Sequence, residues 1–161
     1  MNRIETLREY IDKILLNMQN VEERRCAYVH LYGVSQYSAM IALKRGENSE
    51  LATLSGMLHD LYSYKTMISE NHAHNGADLA MCILSELKLT TKEETNLICS
   101  AVYNHSDKDT VHSKFDEILK DADVFQHNLY NTTLCIKDTE MLRYVNLLKE
   151  FGLSSDFRHI L

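Results

Sequence analysis

Apolar residues recur at helical spacing along nearly the whole chain, and there is no proline to interrupt them. Ile4, Leu7, Ile11, Ile14 and Leu15 mark a first amphipathic helix. A second is expected from about Glu22 to Arg45, with Ala27, Leu31, Val34, Ser38 and Ile41 on one stripe and Gly46 suited to close it. A third starts near Ser49 and carries Leu51, Leu54 and Leu58. The stretch from Tyr62 to Asn71 reads as polar and irregular. A fourth helix carries Ala73, Ala77, Ala80, Met81 and Leu84. Thr90 to Glu94 reads as a capped start for a fifth, with Leu97, Ile98, Ala101 and Val102 inward. The sixth runs from about Phe115 to Leu129, and a last one from about Thr139 to Phe151, stopping at Gly152. No alternating strand pattern, repeat or linker is visible. The expectation is an all-α, single compact bundle of about six to seven helices, with residues 1–161 forming one domain.

Bulk properties narrow the function. A length of 161 residues is enough for one substantial core. The net charge of −6 disfavours a nucleic-acid partner, which would call for Lys and Arg facing phosphates. No apolar run approaches a membrane span, and MNRIETLREYIDK has no secretory apolar region, so a cytoplasmic location is expected. Cys26, Cys82, Cys99 and Cys135 form no C-x-x-C pair and read as reduced, mostly buried thiols.

One ionisable pair breaks the apolar pattern. His59 and Asp60 sit between Leu58 and Leu61, where a core residue would be expected. Adjacent helical residues point about 100° apart, so the two converge only on an object beside a helix end. A metal ion is such an object. Imidazole with carboxylate suits Fe, Mn, Zn, Ni or Co. Other ligand types are placed to join them. His30 faces inward on the second helix, His105 ends the fifth in phase with its apolar stripe, and His72 and His74 open the fourth. Asp121 and Asp123 flank Ala122 on the sixth, and the helical wheel does not separate them. A core histidine held only by hydrogen bonds is the ordinary reading of any one of these. Several inward ligand types on several helices point instead to a cage within a bundle.

The segments HLYGVSQYSAMIA, SGMLHDL, HAHNGADLA, AVYNHSDK and ILKDADVFQHNLYN resemble, in order and context, the HD superfamily of metal-dependent phosphohydrolases. The resemblance covers about residues 22–131. It implies His30 as the first ligand, His59 and Asp60 as the doublet, and Asp123 as the late aspartate. HD families with two metals add a His before a Gly-Ala pair and another at the next helix end. His72 fits the first, with His74 as second choice, and His105 fits the second. HD-type dinucleoside polyphosphate hydrolases use a set of this kind; the block that marks HD-GYP phosphodiesterases is missing.

The activity implied is hydrolysis of a small phosphate substrate, a nucleotide or related ester or anhydride, by one or two divalent ions (Fe, Mn, Ni, Co or Zn, or Mg). Asp60 would bridge two metals, and Lys65 just beyond the doublet would contact a substrate phosphate. The alternative is a non-catalytic module that senses a nucleotide or metal. Asp107 and Lys108 read as loop charges, His112 and His159 as surface residues. His127 lies on the Asp123 face of its helix, placed to be a ligand or proton donor.

Overall fold

The structure, a computed structural model, describes residues 2–153; His159 lies outside them. Among the described residues every regular element is a helix: α1 (Arg3–Leu16), α2 (Val21–Arg45), α3 (Ser49–Leu58), α4 (Leu61–Thr66), α5 (His72–Leu87), α6 (Lys92–Asn104), α7 (Lys114–Tyr130) and α8 (Asp138–Glu150). Among the described residues no helix is long and apolar enough to cross a membrane.

The ends are fixed by local chemistry. Asn20 accepts hydrogen bonds from the Glu22 and Glu23 amides, and Asn48 accepts one from Leu51. Thr91 and Glu94 form a reciprocal capping box at the start of α6. Gly46 ends α2 in the left-handed region at φ 71°.

Three expectations need correction. The stretch after the doublet is not wholly irregular, because Leu61 is fully buried and anchors the single short helix α4. Six residues are too few to show a helical period in sequence. Met81 is 47% exposed, one residue round the helix from the buried Ala80. Of the four cysteines only Cys99 is buried; Cys26, Cys82 and Cys135 are exposed thiols.

The core gathers on the two long helices. Leu31, Val34 and Ile41 of α2 join Leu54, Met57 and Leu58 of α3 and Ile118, Ala122 and Phe125 of α7, all buried. Helix α3 packs on α2, α7 packs on α2, and α5 packs on α6. The α2–α3 crossing depends on Gly56. A Cβ built there would lie 2.5 Å from the Ser35 Cα, closer than two carbons can approach. This close crossing brings the end of α3 against the middle of α2. Arg3 ties α1 to the same assembly through ion pairs with Glu50 and Glu94.

Candidate metal centre

The HD doublet sits where α3 stops. His59 is the last residue in helical conformation, and Asp60 (φ −111°, ψ 8°) leaves it before α4 begins. The break lets two adjacent side chains aim at one region. His59, fully buried, places Nε2 3.0 Å from His30 Nε2 of α2. Asp60 Oδ2 lies 3.2 Å from His30 Nε2 and 3.5 Å from His59 Nε2. Asp123 of α7 completes this side, with Oδ1 3.6 Å from His30 Nε2 and 4.0 Å from His59 Nε2.

The other oxygen of Asp60 faces a second pair. Oδ1 lies 3.2 Å from His105 Nε2 at the end of α6 and 3.4 Å from His72 Nε2 at the start of α5. Asp60 therefore stands between two sets of imidazoles, one oxygen toward each. Metal–ligand bonds of about 2.1 Å put two donors on one ion about 3–4 Å apart, and these separations fall in that range.

Each ring is held in the same sense. His59 Nδ1 donates to the Gly56 carbonyl at 2.8 Å, His105 Nδ1 to the Val102 carbonyl at 2.6 Å, and His72 Nδ1 to the Ser69 carbonyl at 3.0 Å. His30 Nδ1 donates to Gln126 Oε1 at 2.8 Å. Fixing the proton on Nδ1 leaves the Nε2 lone pair directed into the centre, the orientation that metal-ligating histidines need. Two lone pairs 3.0 Å apart, on His30 and His59, repel unless a cation or a proton lies between them. The buried oxygens Asp60 Oδ1 and Asp123 Oδ1 have no hydrogen-bond partner. Unpaired buried acceptors are costly, and a divalent ion would satisfy them. The residues present therefore fit a metal: His30, His59 and Asp60 form one group that could hold an ion, and Asp60, His72 and His105 another.

The HD domain family model matches residues 27–128, well over half of the chain. The chain belongs to the HD domain family. No curated protein and no solved structure gives a match.

The HD centre is also electrostatically prepared. Burial pushes the His59 imidazole down to about 3, with His30 and His105 adding to the shift, so the ring is neutral and ready to donate its lone pair. Burial opposes ionisation of Asp60, but His59, His105 and His30 overcome it and hold the carboxyl well below its usual range. Asp123 is buried too, and Lys108, His127 and the other imidazoles hold it ionised.

All six ligand candidates of the HD signature, His30, His59, Asp60, His72, His105 and Asp123, thus converge. His74 does not join them; its ring stacks on Tyr103 at 4.0 Å. Lys65 is exposed and lines a separate cavity of about 510 Å³ with Asn17, Gln19 and Asn20. That cavity shares Tyr64 with a smaller one of about 250 Å³ that opens on His30 and Asp60. Asp107 is a loop charge, accepting from the Thr110 amide. Lys108 is more than a loop charge: its Nζ lies 2.6 Å from Asp123 Oδ2, and its side chain is only 10% exposed. His112 is not a plain surface residue either, since its Nδ1 lies 2.6 Å from Nζ of the fully buried Lys120.

Two contributors had no place in the sequence reading. Gln126 supplies the acceptor for His30, and a Cβ on Gly33 would lie 2.9 Å from Gln126 Cγ, so Gly33 leaves room for it. Glu140 of α8 accepts from His127 Nδ1 at 3.1 Å. Gln126 follows Asp123 by three residues, a helical spacing that could have found it. Nothing local marks Glu140.

Proposed function

We propose that this HD domain is a metal-dependent phosphohydrolase acting on a nucleotide or a related small phosphate ester or anhydride. The observation that carries the reading is Asp60, ionised and only partly exposed, with one oxygen toward His30 and His59 and the other toward His72 and His105. A carboxylate in that position suits a bridge between two ions. Bound divalent metal lowers the pKa of water to about 7 and neutralises charge on phosphoryl oxygens.

The protein's own residues would do the rest. His30, His59, Asp60 and Asp123 would hold one ion, and Asp60, His72 and His105 a second. Lys108 occupies Asp123 Oδ2 and so leaves Oδ1 for the centre. The adjoining 250 Å³ cavity is lined by Cys26, Val29, Tyr64, Gln126, His127 and Tyr130 beside His30 and Asp60. It contains no Lys or Arg, which supports a small substrate bound through metal rather than a nucleic-acid backbone. Its tyrosines offer an aromatic surface to a base. Lys65 would meet a substrate phosphate that extends past Tyr64. The single domain and a cytoplasmic setting are part of the same reading.

Metal analysis of protein purified without chelator, followed by a phosphate-release screen with Mn, Fe, Co, Ni and Mg, tests it. Turnover of a mononucleotide or dinucleoside polyphosphate that depends on added metal is expected. Wild-type protein that takes up no metal under anaerobic reconstitution would overturn the proposal. Metal-loaded protein that binds nucleotides without turning any over would establish the sensing role instead.

A further inference from the structure

One histidine at the centre lies outside the HD signature. His127 follows Asp123 by one helical turn on α7 and lines the 250 Å³ cavity. Its Nε2 lies 3.5 Å from Asp123 Oδ1, the buried oxygen without a partner. Its ring stacks on His30, with centroids 5.2 Å apart and planes 13° from parallel. His30 Nε2 reaches the same oxygen at 3.6 Å. Two parallel rings thus direct their nitrogens at one carboxylate oxygen, and the three donor atoms all lie within 4.8 Å of one another.

The far side of the ring is fixed as firmly as in the other four histidines. His127 Nδ1 donates to Glu140 Oε1 at 3.1 Å, and the second oxygen of Glu140 accepts from Asn128 Nδ2 at 3.1 Å. Glu140 is itself buried. A carboxylate behind a histidine whose other nitrogen faces a site is a recurrent support for a metal ligand. With the proton on Nδ1, the Nε2 lone pair faces the lone pairs of Asp123 Oδ1. A cation between them turns that repulsion into binding.

We infer that His127 is a metal ligand, added from the cavity side to the ion held by His30, His59, Asp60 and Asp123. The inference rests on the metal reading above. It makes the two ions unequal. The His30-side ion has five protein donors, and the His72-side ion has three: Asp60, His72 and His105. The His30-side ion, with the larger set of donors, would be the more tightly held of the two.

Cobalt(II) titration of the full chain tests this, with bound metal measured directly, affinity measured by chelator competition, and the visible spectrum recorded. His127→Ala is expected to weaken one equivalent at least about tenfold and to intensify the cobalt bands as the coordination number falls. Glu140→Gln is expected to weaken the same equivalent by about tenfold, within the range for a group supporting a ligand. His72→Ala should remove the other equivalent and leave the His127-sensitive one in place. Thermal unfolding of metal-free His127→Ala checks that it folds; the side chain is 36% exposed, so little change is expected. Wild-type affinity and spectrum in His127→Ala would overturn the inference while leaving the metal centre intact, and would mark His127 as an ion-pair partner of Asp123. Absence of cobalt binding by the wild type would overturn both.

Discussion

Asp121 and Asp123 stand two residues apart on α7, are both buried, and meet opposite fates. Asp121 is finished by the protein. Arg45 reaches its Oδ2 at 2.7 Å and Arg143 its Oδ1 at 2.9 Å. Those arginines also pair with Glu150 and Glu117, at 2.7 Å each, so α2, α7 and α8 are joined by a closed set of charges. Asp123 is finished on one oxygen only, by Lys108. Its other oxygen faces imidazoles that have placed their protons elsewhere. A buried charge with all its partners is architecture; one with an oxygen left over is a candidate ligand. Residue type and burial do not separate the two. The partners do.

The largest effect expected from this contrast is on chemistry. Asp60→Ala removes the proposed bridge and should lower metal-dependent turnover by about 10²–10³-fold or more, as for removal of one preorganised electrostatic group. Metal uptake should fall with it. Equal activity in wild type and variant would assign the hydrolysis to a contaminant or another site.

A ligand that binds only the folded state stabilises it, by about 2.7 kcal/mol at a hundredfold excess over Kd. Added metal should therefore raise the unfolding midpoint of the wild type. Asp123→Asn should lose most of that increment, and Asp121→Asn should keep it. An equal loss in both would erase the distinction drawn between them.

In metal-free protein the order reverses. Asp121→Ala leaves two half-buried guanidinium groups short of a partner. Breaking a buried pair costs about 3–5 kcal/mol; because Arg45 and Arg143 retain Glu150 and Glu117, about 2 kcal/mol is expected in urea unfolding.

The charge network predicts a pH dependence as well. Glu150 is held below its ordinary value of 4.5 by Arg45, while Glu117 is lowered, against the effect of burial, by the His112 amide, Arg143 and Lys120. Stability from a depressed carboxyl is present above its ordinary value and is lost as pH falls through the folded one. Metal-free protein should lose stability as pH drops below about 4.5, and Arg45→Ala should flatten that slope.

The smallest effect belongs to Lys65. An exposed lysine that meets only a distal phosphate should, as Lys65→Ala, raise KM a few-fold and leave kcat unchanged. A fall in kcat would place it nearer the reacting atoms.

The sequence made most helices readable, because each carries enough turns for its apolar period to show. Helix α4 has too few. The convergence of the six candidate ligands was readable through their order and local context, since each sits at a helix start, a helix end or on an inward stripe. The choice between Asp121 and Asp123 was not readable from the helix alone. Both flank Ala122, and the arginines that claim Asp121 come from α2 and α8. Lys108 was hidden for the same reason: a loop lysine next to an aspartate looks solvated until tertiary packing brings Asp123 within reach. Glu140 lies beyond the matched family segment, in a helix whose sequence speaks only of amphipathicity.

Gly56 brings no functional group to this molecule, yet it acts as a spacer gauge. The 3.0 Å between the His30 and His59 nitrogens is measured from two helix axes, and those axes approach as far as a single hydrogen at Gly56 allows. Any larger side chain would push α3 outward by roughly 1 Å, a displacement that can cost about a hundredfold in rate at a preorganised site. The tolerance of the centre is thus set by an atom that takes no part in it.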